Sequence, residues 1–309
     1  MDPFKEESPI PQAFIWRRLH SLTGLFLVLF LSQHLLTNSK AALWIGDDGV
    51  GFIKSVNAIH DLPYLLFIEI FLLGVPFAIH IIWGIKYLRT SKLNSFKTDG
   101  SRPYLPYRRN KAYSWQRITS WILLVGVIAH VFNMRIIHYP EKVKVGDQDY
   151  YLIAVTEDQG MATLLPRLDA ALYPSPWYFE GNIKAAQEAG VPATEQVIHQ
   201  LEKLKQTAEN LHPKENEVIV MAKDFGTADL FVVRDAFKSP IESILYSIFV
   251  MAASYHAFNG LWTFLISWGV ILTGASQRIM RKGAVGLIIL VAFLGLAAAW
   301  GTYWLNLYQ

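Results

Sequence analysis

Four histidines lie one each inside four separate apolar stretches of this 309-residue chain. An ionisable side chain inside an apolar membrane segment is costly and usually functional, and imidazole is a common metal ligand. Two haems held by two histidines each would use all four residues. The four sites are SQHLL at His34, FAIHII at His80, IAHVF at His130 and SYHAF at His256.

The composition indicates an integral membrane protein, with 52% hydrophobic and 17% charged residues and a mean hydropathy of +0.26. There is no cysteine, which excludes disulfides, thiolate-bound iron–sulfur clusters and covalent c-type haem attachment within this chain. The net charge of +3 does not indicate nucleic-acid binding, because the basic residues cluster in short loops beside apolar segments.

Five apolar stretches are long enough to cross a hydrocarbon core of about 30 Å. We therefore predict an all-α membrane protein, a five-helix bundle holding two b haems. Residues 1–138 would form the first three helices, 139–235 an inserted segment, and 236–309 the last two helices. The predicted spans are 16–38, 62–88, 115–138, 240–273 and 284–308.

Loop charge predicts the orientation, because cytoplasmic loops are enriched in Lys and Arg. Nine basic residues and one acid lie between Lys86 and Arg117, and the loop after the fourth span carries three more basic residues. Both loops are expected in the cytoplasm of a bacterial-type inner membrane. The N-terminus would then be cytoplasmic, and the C-terminus and the inserted segment outside.

The inserted segment, residues 139–235, has nine basic and sixteen acidic residues, a net charge of 9 − 16 = −7. Strand-like runs (YYLIAV, EVIVMA and DLFVV) and a helix from Thr194 to about Leu211 predict a small α/β cap.

Distances from the predicted outer helix ends sort the four histidines into two depths. His34 and His130 would lie roughly 9 and 12 Å from the outer ends, and His80 and His256 roughly 28 and 27 Å, at about 1.5 Å per residue. Two histidines at one depth suit the two faces of one haem. For each histidine taken alone, the alternative to a haem ligand is a side chain that only hydrogen-bonds within the helix bundle. For the whole chain, the alternative to a haem protein is a transporter with proton-coupled histidines, but the chain shows no internal repeat or broken span.

Several motifs make the chain resemble the five-helix, di-haem cytochrome b (b558-like) membrane anchor of succinate dehydrogenase and fumarate reductase. The resemblance extends over all five spans. The motifs are RRLHSLTG at 17–24, SQHLLTN at 32–38, IHDLPYLLFIEIF at 59–71, AIHIIWGI at 78–85, QRITSWILL at 116–124, HAFNGLW from 256 and SQRI ending at 279.

The resemblance implies a succinate:menaquinone oxidoreductase anchor that carries electrons through two haem b groups to a membrane quinone, menaquinone or another. The catalytic partners would be a flavoprotein with FAD and an iron–sulfur subunit, so this chain has no catalytic residue of its own. The alternative within the family is a fumarate reductase anchor working in the reverse direction. A cytochrome b of a hydrogenase or formate dehydrogenase would need two histidines in one span, and none has a suitable pair.

Site residues follow from the same resemblance. The axial ligands would be His34, His80, His130 and His256. Candidates for the haem propionates are Arg17, Arg18, His20, Ser21, Trp115 and Arg117, although membrane anchoring by positive charge is an alternative for each arginine. Quinone-site candidates are Gln33, Asn38, His60 and Asp61.

Two alternatives and two departures accompany these assignments. Asp61 precedes Leu62-Pro63 and could instead cap the second span. Glu69, inside that span, could relay protons.

The inserted segment is absent from the usual compact anchor. Ser254 replaces a glutamate that some fumarate reductases of this type place two residues before the fourth-span histidine, which favours succinate oxidation.

Overall fold

The computed structural model describes residues 10–44, 46–97, 99–101, 103–145, 147–173 and 191–308. Arg102 of the basic loop and residues 174–190 of the inserted segment lie outside the described residues. Among the described residues, five helices are long and apolar enough to cross a membrane, in agreement with the predicted number of spans. They are α1 (Gln12–Ser39), α3 (Leu65–Thr90), α4 (Arg108–Ile137), α8 (Pro240–Ser267) and α9 (Gly274–Tyr308).

Three of the five helices contain a π-helical turn, at Glu69–Gly74 in α3, at Asn133–Ile137 in α4 and at Ala297–Gly301 in α9. Insertions of this kind often occur near functional sites. The fourth predicted span was too long, because the chain leaves the helix at Ser267 and passes through Gly269 with φ 73°. Since this backbone conformation suits glycine, Gly269 ends α8 and lets α9 begin at Gly274.

The chain forms two compact units, each built from separate stretches of sequence. The first contains residues 1–34, 64–125 and 249–292, and the second contains 35–63, 126–248 and 293–309. The first unit is a helix bundle. The second contains the inserted segment, the helix α2 (Val50–His60) and the adjoining ends of the spanning helices.

The inserted segment folds around a four-stranded antiparallel sheet with strand order β1-β2-β4-β3. In the described part of the segment, three helices accompany the sheet, α5, α6 and α7. The bounds are β1 (Glu141–Val145), β2 (Gln148–Thr156), α5 (Met161–Arg167), β3 (Ala171–Tyr173), α6 (Val191–Asn210), β4 (Glu217–Ala222) and α7 (Phe225–Ala236).

Both faces of the sheet are covered, which explains the uninterrupted apolar runs of β2 and β4. One face packs Ile153 and Val220 against Phe231 of α7. The other packs Leu152 and Met221 against α6. The predictions of strands at YYLIAV and EVIVMA and of a helix near Thr194–Leu211 therefore agree with the structure.

The strand predicted at DLFVV is wrong, because these residues lie in the middle of α7. Asp224 starts this helix by accepting a hydrogen bond from the Thr227 backbone N–H at 2.9 Å. The sheet packs on one side of α7 and α2 on the other, so nearly every residue of α7 is buried. A helix that is apolar all round cannot be distinguished from a buried strand by periodicity.

The helix α2 packs closely against α7, and the sequence had indicated only a loop there. A Cβ on Gly226 would lie 2.6 Å from the Ile53 carbonyl oxygen, and one on Gly49 would lie 2.9 Å from Leu230. Asn57 joins the two helices: its amide donates to Asp224 at 2.6 Å and accepts from the Gly226 N–H at 2.7 Å. The end of α2 is therefore held by the inserted segment.

Candidate functional site

Two of the four predicted ligands face each other within the first unit. The ring centres of His80 on α3 and His256 on α8 lie 6.2 Å apart, with an angle of 79° between the planes. Both side chains are partly buried.

Each of these rings is oriented through Nδ1. His80 Nδ1 lies 3.1 Å from the His20 carbonyl oxygen, and His256 Nδ1 lies 3.2 Å from that of Gln116. An Nδ1–H that donates to a carbonyl leaves the lone pair on Nε2, which is the usual arrangement of a metal-binding histidine.

The spacing fits one metal between the two rings. An imidazole nitrogen lies about 2 Å from a metal that it binds, so two flanking rings have centres roughly 6 Å apart. The observed 6.2 Å therefore fits a bis-histidine haem iron between the two rings.

Neighbouring residues that sequence reasoning missed hold this arrangement. Gln116 donates from its amide to the His256 carbonyl oxygen at 3.0 Å and accepts from Asn259 at 2.6 Å. Thr119 and Ser120 place their hydroxyls 3.4 Å from His256 Nδ1. Two sequence signals lay close to these residues: the His-x-x-Asn spacing, which puts His256 and Asn259 on one face of a helix, and the QRITSWILL motif, which contains Gln116, Thr119 and Ser120.

Gly24 of α1 provides room for His80. A Cβ at this position would lie 3.0 Å from His80 Cε1, closer than ordinary contact. A Cβ on Gly84 would lie 3.8 Å from the nearest side-chain atom, on His20. The first glycine is therefore required by the histidine, whereas the second tolerates a side chain.

His20 lies directly beside the pair. Its ring stacks on His80 with centres 4.0 Å apart and 13° between planes. Its Nδ1 is buried and has no hydrogen-bond partner among the described residues. A buried polar atom without a partner costs about 1–3 kcal/mol, so this nitrogen fits a partner outside the polypeptide, such as a propionate.

The other propionate candidates have varied surroundings. Ser21 accepts from Trp268 Nε1 at 3.2 Å, and Arg18 donates to the Ser267 carbonyl. Arg117 is buried with its guanidinium 3.1 Å from the centre of the Tyr113 ring. Trp115 and Arg17 are exposed. The propionate role of these five residues stays a prediction.

The remaining two predicted ligands lie in different units, His34 in the first and His130 in the second. His34 stacks on Phe30, with centres 5.4 Å apart. His130 Nδ1 lies 3.1 Å from the Tyr246 hydroxyl, an orienting contact that sequence reasoning missed. Their pairing on one haem stays a prediction.

Of the quinone-site candidates, His60 and Asp61 end α2. Asp61 is the C-cap of this helix, and its backbone N–H bonds to the Asn57 carbonyl, so the alternative that it caps the following span is wrong. The following helix begins only at Leu65, after Tyr64 with φ 61°. Asn38 lies in the second unit with His60, whereas Gln33 is exposed and lies in the first.

Comparison with known proteins finds a similar sequence along almost the whole chain. The chain is 23% identical over 286 residues to the succinate dehydrogenase cytochrome b558 subunit of Bacillus subtilis (strain 168). The alignment covers 92% of this chain and 95% of that protein. No protein-family profile matches the chain. No solved structure matches it significantly.

Proposed function

We propose that this chain is the cytochrome b membrane anchor of a succinate dehydrogenase. The observation that carries the proposal is the His80–His256 pair, which has the spacing and the Nδ1 contacts of two ligands to one haem iron. The similarity to a succinate dehydrogenase cytochrome b558 subunit supports the anchor role. Five apolar helices agree with it.

Two haem b groups complete the proposal, an inner one held by His80 and His256 and an outer one held by His34 and His130. Bound haem supplies a one-electron carrier between the iron–sulfur partner and the quinone. The chain's residues fix the ligands: the carbonyls of His20 and Gln116 orient the inner pair. The Tyr246 hydroxyl orients His130.

The partners would dock on the basic side of the membrane. We propose that the loop between α3 and α4 faces the cytoplasm and contacts the iron–sulfur subunit, which is joined to the FAD-containing flavoprotein. Arg109, at the start of α4, donates to Gln277, at the start of α9, at 2.5 Å, so the helix ends beside the two basic loops meet within the first unit. The inserted segment would lie on the outer side.

Menaquinone would be reduced at the outer end, near His60 and Asp61. Ser254 supports the direction from succinate to quinone, since it is fully buried and offers no carboxylate for proton transfer through the membrane. Its hydroxyl has no hydrogen-bond partner among the described residues.

Separate His60→Ala and Asp61→Asn variants of the intact complex test the outer site. We expect quinone reduction to fall at least tenfold in one or both variants, because general acid–base groups contribute about 10²–10⁴-fold. Haem content and succinate oxidation by a soluble dye should be unchanged. If quinone reduction survives both outer changes in a complex with full haem content and dye activity, the outer site is wrong.

A further inference from the structure

The end of α2 is fixed by the inserted segment. The ring of His60 stacks on Phe225 of α7, with centres 4.1 Å apart and 4° between planes. One turn earlier, Asn57 bonds to Asp224 and Gly226 at the start of α7. His60 is therefore held by residues from outside the spanning helices.

A second residue of the inserted segment contacts His60 through a polar atom. The Tyr151 hydroxyl on β2 lies 3.4 Å from His60 Nε2. The Tyr151 ring meets His60 and Phe225 edge-on, with centres 5.8 and 5.7 Å away. Tyr151 is only 7% exposed, so its hydroxyl is directed at the imidazole from inside the domain.

Behind Tyr151 the contacts continue to the surface. The Lys142 ammonium lies 5.8 Å from the centre of the Tyr151 ring and forms an ion pair with Asp149 at 2.8 Å. The Lys142 side chain is 53% exposed. Burial raises the pKa of the Tyr151 phenol; the Lys142 cation lowers it in part, and the Asp149 and Asp61 carboxylates raise it further. The Tyr151 hydroxyl therefore keeps its proton.

We infer that Tyr151 is a positioning residue of the outer quinone site, which orients His60 for proton transfer to the quinone. The inference rests on the proposed quinone role of His60. It assigns to the inserted segment a part in proton uptake. A merely structural Tyr151, which only packs the domain on α2, is the alternative.

The proton transfers balance in this arrangement. A quinone that accepts two electrons takes up two protons to become a quinol. For each proton, the protonated His60 imidazole gives its Nδ1 proton to a quinone oxygen, while its Nε2–H stays bonded to the Tyr151 hydroxyl oxygen, which fixes the direction of Nδ1. The neutral imidazole then takes a proton at Nδ1 from water, and the hydroxide passes to the solvent.

Tyr151→Phe in the intact complex tests the inference, because it keeps the ring packing and removes only the hydroxyl. Tyr150→Phe is the matched control, since Tyr150 is the adjacent buried tyrosine on the opposite face of the sheet. We expect Tyr151→Phe to lower reduction of a short-chain naphthoquinone by succinate about tenfold and to change the solvent deuterium isotope effect. Haem content and dye reduction should stay at the parent level, and the control should match the parent.

The His60→Gln variant and the double variant distinguish failure of this inference from failure of the proposed function. We expect the double variant to be no slower than His60→Gln alone, because both changes interrupt one transfer. If His60→Gln stops quinone reduction and Tyr151→Phe does not slow it, the role of Tyr151 is overturned and the outer site stands. If neither slows it in a complex with full haem and dye activity, the inference is overturned together with the outer site. Absence of haem would overturn the proposed function itself.

Discussion

At the residue scale, the inner histidine pair depends on contacts that fix Nδ1 and on the space beside each ring. His80 and His256 lie close together, as their predicted pairing requires. Each Nδ1 contacts a backbone carbonyl, and a sequence does not show which carbonyl a side chain contacts. The same holds for Tyr246, whose hydroxyl contacts His130 across 116 residues of sequence. Residue type and helix depth are enough to propose which histidines are ligands, whereas the orientation of their rings depends on contacts that only the structure shows.

Gly24 provides a residue-scale prediction. We expect Gly24→Ala to weaken inner-haem binding, because its Cβ would lie 3.0 Å from His80 Cε1 and must displace the ring. Overpacking costs about 1–3 kcal/mol, which is roughly 5- to 150-fold in affinity. The measurement is haem content per purified chain. Gly84→Ala is the control, since its Cβ meets nothing closer than 3.8 Å, and an equal loss in both variants would contradict the role of Gly24.

At the element scale, the spanning helices could be predicted from hydropathy, and the elements of the inserted segment only in part. The helix α7 was misread because it is buried on both sides, and α2 was missed because it is short and partly polar. Both depend on contacts between residues far apart in sequence, such as Asn57 with Asp224. Local periodicity does not encode such contacts.

A largely buried carboxyl on α7 gives a prediction about pH. Burial raises the pKa of Asp229 from its ordinary 3.8 to about 6, and the Arg135 cation opposes this in part. Below pH 3.8 the carboxyl is protonated in both the folded and unfolded chain. As pH rises from 3.8 to about 6, the carboxyl ionises in the unfolded chain before it ionises in the folded one. The free energy of unfolding therefore falls over this interval.

Asp229→Asn should therefore stabilise the second unit at pH 7 by about 1–3 kcal/mol and have little effect near pH 4. The measurement is the temperature at which proteolysis within residues 139–235 begins in the full-length protein, at both pH values. Asp147→Asn, at an exposed residue, is the control. A stabilisation that is equal at both pH values would contradict the titration of Asp229.

At the scale of the whole molecule, the proposed orientation has an energetic consequence. Electrons would come from the cytoplasmic partner and reach a quinone at the outer face, in a direction favoured by an inside-negative potential. Moving one charge through the full potential involves about 2.3 kcal/mol per 100 mV. Protons taken up from the outside would add to this effect, and the membrane potential would help to drive electrons from succinate to a low-potential quinone.

Docking of the iron–sulfur partner is a prediction at this scale. We expect Arg108→Glu with Arg109→Glu to reduce copurification of the partner several-fold, because charged surfaces guide assembly, while haem content is retained. Lys203→Glu with Lys205→Glu, at two exposed residues of α6, makes the same charge change and is the control. Unchanged copurification in the first variant would place the docking surface elsewhere.

The central claim is that two haems are held by two histidine pairs, and the most direct test is haem stoichiometry with optical spectra of the parent, His80→Ala and His34→Ala proteins. We predict two b-type haems per chain in the parent and one in each variant, with a different spectral component lost in each. His256→Ala should match His80→Ala, and His130→Ala should match His34→Ala. A parent without haem, or loss of the same component in the His80 and His34 variants, would contradict the account.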